Sequence, residues 1–136
     1  DAVIMADVLD HLVNPERILH MAHDALPPGG LLLVSVPNVA HLYVRLQLLL
    51  GRFPYAERGI LDRTHRVFFT RRSTRELLAR CDFAVERETV STVPLPLAFP
   101  GWPGWLLGAS GRRLEAVTPV LPKLLGYQFI VAARRV

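Results

Sequence analysis

The sequence has little of several things, and each shortage excludes a class of protein. Cys81 is the single cysteine among 136 residues, which rules out an internal disulfide framework and a cysteine-rich zinc site. Lys123 is the single lysine, so the formal charge of +4 comes from arginine. Such an arginine excess suits an ordinary solvated surface better than a nucleic-acid footprint, and no nucleic-acid partner is expected. No membrane-spanning helix is expected, since prolines break the one long uncharged stretch, 89–111. The leucine-rich end of "NVAHLYVRLQLLLG" is too short, and Arg45 interrupts it. There is no G-x-G-x-x-G turn after a strand, and no H-x-x-x-H or H-E-x-x-H pattern. From sequence alone no metal site is expected. What the chain does have is a 51% hydrophobic composition, enough to bury one domain core.

"DAVIMA" (1–6) and "LLLVSVP" (31–37) read as strands buried on both faces. Between them Asn14, Pro15 and Glu16 form a helix start: a cap, a first-turn proline and an acid at the positive end. Ile18, Leu19, Ala22, Ala25 and Leu26 supply the apolar stripe, and Pro27-Pro28-Gly29-Gly30 turns the chain back. Strand, helix, strand in this order is a βαβ unit in a parallel sheet. A helix over 38–51 follows, with Asn38 as its cap and Gly51 as its C′ residue. "TRRSTRELLARC" is another helix, with Thr70 and a Ser73/Glu76 capping box competing for its start. Strands close the pattern at 83–91 and 127–136. Residues 89–111 carry no charge, and four prolines break them up. This apolar Pro/Trp stretch must cover a core, a partner or a membrane surface, with Trp102 and Trp105 as anchors.

The order "DVLDHL…NP…L…ALPPGGLLLVSVPN", then "G-x-F-x-Y…GILDRTHRVFFT", resembles bacterial class I S-adenosylmethionine-dependent methyltransferases. The subgroup it is similar to is the ubiquinone-biosynthesis-like one, some members of which are fused to glycosyltransferases. The resemblance implies an α/β fold, a partial Rossmann-like sheet holding strands four to seven, the last one antiparallel. All of 1–136 would be the C-terminal part of one methyltransferase domain, with strands one to three absent and 89–111 inserted between the last two strands. The implied cofactor is S-adenosyl-L-methionine. The implied partners are a small-molecule acceptor, the other half of the domain and, through 93–109, a glycosyltransferase domain or a membrane surface. The implied location is cytoplasmic, at most peripheral to a membrane. The exposed edge of the first strand is expected to make the isolated piece poorly soluble. The family usually has Glu where Asp10 stands, and often Gly where Asp82 stands; Asp tolerates the left-handed backbone that such a C-cap needs.

In an open α/β sheet, ligands sit beyond the C-terminal strand ends. Ala6, Asp7, Val8, Leu9 and His11 follow the first strand and are the expected cofactor contacts. Asn38 and His41 follow the second, and with Tyr55 they are the expected acceptor contacts. His65 is the leading candidate for proton handling and His11 the second, with Asp62 to orient His65 and Phe68-Phe69 to anchor the loop. Asp10 reads as a structural carboxylate. Two other readings stand beside methyl transfer to oxygen. One is a degenerate methyltransferase-like module that only binds a partner. The other, a nicotinamide-dependent α/β enzyme, is disfavoured by "DVLDHL" and the closing hairpin.

Overall fold

The computed structural model describes residues 1–93 and 103–136, apart from the side chains of 105–107 and 109. Along the chain come β1 (Ala2–Ala6), a 3-10 turn (Leu9–His11), α1 (Pro15–Ala25), β2 (Leu31–Pro37) and α2 (Leu42–Leu49). Then come α3 (Arg71–Arg80), β3 (Phe83–Ser91), α4 (Gly104–Val117), α5 (Pro122–Leu125) and β4 (Gln128–Arg135). Among the described residues the sheet has four strands in the order β1-β2-β4-β3. β1 and β2 are parallel, with Ala2 opposite Leu31, while β4 runs antiparallel to both β2 and β3. This is the expected partial α/β fold with its last strand antiparallel.

Local chemistry explains the first unit. The Asn14 Oδ1 accepts the Arg17 N–H at 3.2 Å, and Pro15 occupies the first turn of α1. Gly29 takes φ 74° in the return turn, a left-handed conformation that suits glycine. Met5, Leu32, Val34, Val36, Phe129, Val131 and Ala133 all point to one face of the sheet, where they pack with Leu19 and Leu26 and with Leu77 and Leu78 of α3. The opposite face is more open: Ile4 is 70% exposed and Ile130 39%. The strands are therefore not buried on both faces as their apolar runs predicted, because the described residues close only one side.

Three other expectations change. α2 starts at Leu42, and its cap is His41, whose Nδ1 accepts the Tyr43 N–H at 3.2 Å. α3 starts after Thr70, which forms a reciprocal box with Ser73; Glu76 instead pairs with Arg72 across one helical turn. α4 was not foreseen, since Gly104, Gly108 and the preceding prolines argue against a helix. Asp82 does take the left-handed backbone, φ 58°, that the end of α3 requires. No helix among the described residues is long and apolar enough to cross a membrane. The expectation for the Pro/Trp stretch falls mainly on 94–102 and on the Trp105 side chain, which lie outside the described residues.

Candidate active site

β1 and β2 run in parallel, so the segments that follow them emerge on the same edge of the sheet. After β1 the backbone turns sharply at Asp7, φ 51°, and the 3-10 turn carries Leu9 into the core and Asp10 beneath the surface. A distant loop then docks on this turn. The Arg66 and Val67 N–H groups donate to the Asp10 carbonyl at 2.6 and 3.1 Å. The loop is anchored by its two phenylalanines. Phe69 lies in the main core, and Phe68 packs on a second small cluster of Val44, Ile60 and Leu61. Full burial of one such ring stabilises by about 1.5–3 kcal/mol, enough to hold a loop in register.

This docking places three titratable side chains together. The His65 Nε2 lies 3.0 Å from the Asp10 Oδ2, and the His11 Nε2 lies 3.5 Å from the same oxygen. The two imidazoles meet edge to face, with centroids 4.9 Å apart. Asp10 is 1% exposed, and neither of its carboxylate oxygens accepts a hydrogen bond from another residue, although the His65 nitrogen lies 3.0 Å from one of them. Burial raises the Asp10 carboxyl above its usual 3.8, while its own backbone amide and the two histidines pull it down. His65 is nearly buried and His11 is 41% exposed, so a ligand reaches the cluster from the His11 side.

The outer nitrogens of both rings are held. The His65 Nδ1 sits 3.1 Å from the Ile60 carbonyl oxygen, which can only accept. The His11 Nδ1 sits 3.1 Å from the Thr64 hydroxyl. That hydroxyl spends its one hydrogen on the Asp62 Oδ1 at 2.6 Å. The Asp62 carboxyl is held below its usual range, first by the Thr64 hydroxyl and then by the Thr64 amide. Asp62 thus orients His11 through Thr64; it does not touch the His65 ring, whose carboxylate partner is Asp10. The spacing D-H…D-x-T-H contains this arrangement, but nothing local says that Asp10 turns inward.

The other expected contacts are placed differently. The Asn38 side chain is fully buried; it donates to the Gly126 and Lys123 carbonyls at 2.8 and 3.2 Å and accepts the Ala40 N–H at 3.0 Å. His41 is buried as a helix cap, and burial lowers its pKa below 6.5. Both are used up within their own chain, which counters their reading as acceptor contacts. Tyr55 is 55% exposed and packs edge-on against Phe53 at 5.2 Å. Asp7 accepts from the Ser35 hydroxyl at 3.2 Å and from the Gln128 amide at 2.8 Å. Ala6, Asp7 and Val8 are exposed at the end of β1, whereas the Leu9 side chain is core and offers a ligand only its backbone.

A mixed sheet with a polar cluster beyond parallel strand ends defines the ligand-binding class of open α/β folds. Within that class the chain belongs to the methyltransferase-domain family, which matches residues 1–88. No curated protein matches the chain. Solved structures share the fold. A methyltransferase of Thermotoga maritima superposes with a TM-score of 0.61 at 14% identity, over 100% of this chain and 56% of that one. One from Methanosarcina mazei gives 0.58 at 17% identity, over 100% and 59%. One from Mesorhizobium loti gives 0.54 at 19% identity, over 99% and 61%. All three are described as S-adenosylmethionine-dependent, and the chain spans somewhat over half of their lengths.

Proposed function

We propose that this chain is the acceptor side of an S-adenosylmethionine-dependent methyltransferase acting on an oxygen of a small molecule, a lipid-linked precursor or a sugar. The observation that carries the reading is the buried Asp10 carboxylate between two imidazoles whose outer nitrogens are fixed, set beyond the strand ends where ligands of this fold lie. The cofactor, when bound, supplies a methyl group already on a good leaving group. The chain's own residues must align the acceptor, exclude water and deal with its proton. The open strip Ala6–Asp7–Val8 fits a cofactor edge lying along the end of β1, and the Asp7 carboxylate is kept in place by Ser35 and Gln128. His11 is the accessible ring and faces the acceptor; His65, behind it, holds the carboxylate in position. This reverses the order of the two histidines read from sequence.

The test uses the full-length protein. Calorimetry with S-adenosylhomocysteine measures cofactor binding, and transfer of labelled methyl groups to a panel of phenols and sugars measures turnover. His11→Ala is expected to lower turnover about 10²-fold or more with cofactor binding nearly intact, the usual cost of losing an acid–base group. Unchanged turnover across the pH range would sink the assignment. Absence of S-adenosylhomocysteine binding would instead favour the non-catalytic module.

A further inference from the structure

We propose that Asp10, His11 and His65 form a binding site for one divalent transition-metal cation, with its open positions toward the acceptor. Among the described residues this is the one group of three potential ligands that converges, with all ligand atoms within 4.8 Å of one another. The inference rests on the functional reading only for what the ion faces; the site itself follows from hydrogen positions.

The proton count is the core of it. A carbonyl oxygen has no hydrogen, so the 3.1 Å contact from Ile60 requires the proton of His65 to be on Nδ1. The Thr64 hydroxyl has given its hydrogen to Asp62, so its contact with His11 requires the proton of that ring on Nδ1 as well. In each neutral ring the Nε2 therefore carries a lone pair. Both lone-pair atoms stand against one carboxylate oxygen, at 3.0 and 3.5 Å. Lone pairs at that range repel unless something positive lies among them. The Asp10 oxygens are buried and accept no hydrogen bond from another residue, so they too have lone pairs to offer a cation.

The two separations from the Asp10 oxygen, 3.0 and 3.5 Å, suit a shared ion. Two donors each about 2.1 Å from a metal lie about 3.0 Å apart at a right angle and about 3.4 Å apart at a tetrahedral angle. The outer contacts are also those of metal ligands. A ligating histidine commonly donates its second N–H to a carbonyl or to a carboxylate-linked group, which fixes ring orientation. Two imidazoles and one carboxylate favour zinc, manganese, iron or cobalt over calcium or magnesium. Three protein ligands leave at least one position open, and the 41% exposed His11 marks the side from which it is reached. A cation there would draw in an acceptor hydroxyl and ease loss of its proton to water before the methyl group moves from sulfur to that oxygen.

The site can be tested without cofactor or acceptor. The full-length protein is stripped with a chelator and titrated with Co²⁺, following its visible absorption and the bound metal after dialysis. One equivalent should bind. His65→Ala and His11→Ala should each abolish the cobalt spectrum, with folding checked by circular dichroism. Thr64→Val, a surface change that leaves all three ligands, should weaken binding about 10-fold or more, since loss of an outer partner costs about that. No stoichiometric uptake by the wild type, or uptake unchanged in the His11→Ala/His65→Ala double variant, overturns the proposal. Cobalt binding in a protein that transfers no methyl group would support the site and defeat the enzyme reading. Turnover that depends on His65 in metal-free protein would do the opposite, leaving protons to fill the gap.

Discussion

Two buried polar sites sit at neighbouring strand ends, and they differ in one respect. Beyond β2, Asn38 makes three hydrogen bonds to backbone groups and His41 caps a helix; the Asn38 bonding capacity is largely spent. Beyond β1, Asp10 is as deeply buried but has no donor on either oxygen, and two imidazoles face it with their outer nitrogens tied back. The first arrangement stabilises the fold. The second costs stability, since an unpaired buried charge is unfavourable, and such a cost persists where a ligand or a reaction uses it. Both follow a strand and both read from sequence as polar residues near ligands. Only the tally of donors and acceptors separates them.

Replacing Asn38 breaks the comparison most severely. Asn38→Ala leaves the buried Gly126 carbonyl and its neighbours without partners, at about 1–3 kcal/mol for each lost group. A loss of about 3 kcal/mol in unfolding free energy is expected from urea titration. A loss below about 0.5 kcal/mol would place Asn38 in a role other than cross-linking.

The matching change beyond β1 should act in the other direction. Asp10→Asn removes the buried charge and places an amide that can donate to the His65 Nε2 lone pair. In chelator-treated protein the thermal midpoint should rise or hold, by up to about 1 kcal/mol in stability, while methyl transfer falls. A clear destabilisation would mean that the carboxylate is paired with a protonated imidazole.

The smallest expected effect is on pH dependence. Burial holds the His41 imidazole below its usual 6.5 in the folded protein, so below that pH the unfolded chain binds more protons. The contribution of His41 to stability is complete above 6.5 and is lost as pH falls from there through the folded value. Urea midpoints should decline between about pH 7.5 and about pH 5.5, and His41→Gln should flatten that part of the decline. An identical slope in the variant would assign it to other groups.

How much of this was legible depended on how local the cause was. The Asn14-Pro15-Glu16 start, the Pro-Pro-Gly-Gly return and the left-handed Asp82 are decided by adjacent residues, and they were readable. The rule for strand ends pointed to His11, His41 and His65 in one pocket; His11 and His65 do meet, while His41 caps α2 instead. The inward turn of Asp10 was not legible, because it depends on the Arg66 and Val67 amides bonding its carbonyl from far along the chain. Asn38 was read as a helix cap and acceptor contact for the same reason, since its side-chain amide donates to carbonyls in the segment 123–126. α4 forms against its glycine content, a preference that context often overrides.

The position of β4 has a consequence for how the chain is made. It is the last strand along the described sequence, yet it lies between β2 and β3, with Leu32 opposite Ala133 and Val85 opposite the same residue. On the ribosome, β1, α1 and β2 can assemble from neighbouring residues as they emerge. β3 follows and finds no open neighbour in its final order. Until 128–135 leave the exit tunnel, β2 and β3 each present a bare edge, and edges of this kind recruit other chains. Closure of the sheet is thus a late, long-range event that inserts a single strand between two waiting ones, slow for its size and dependent on protection during synthesis.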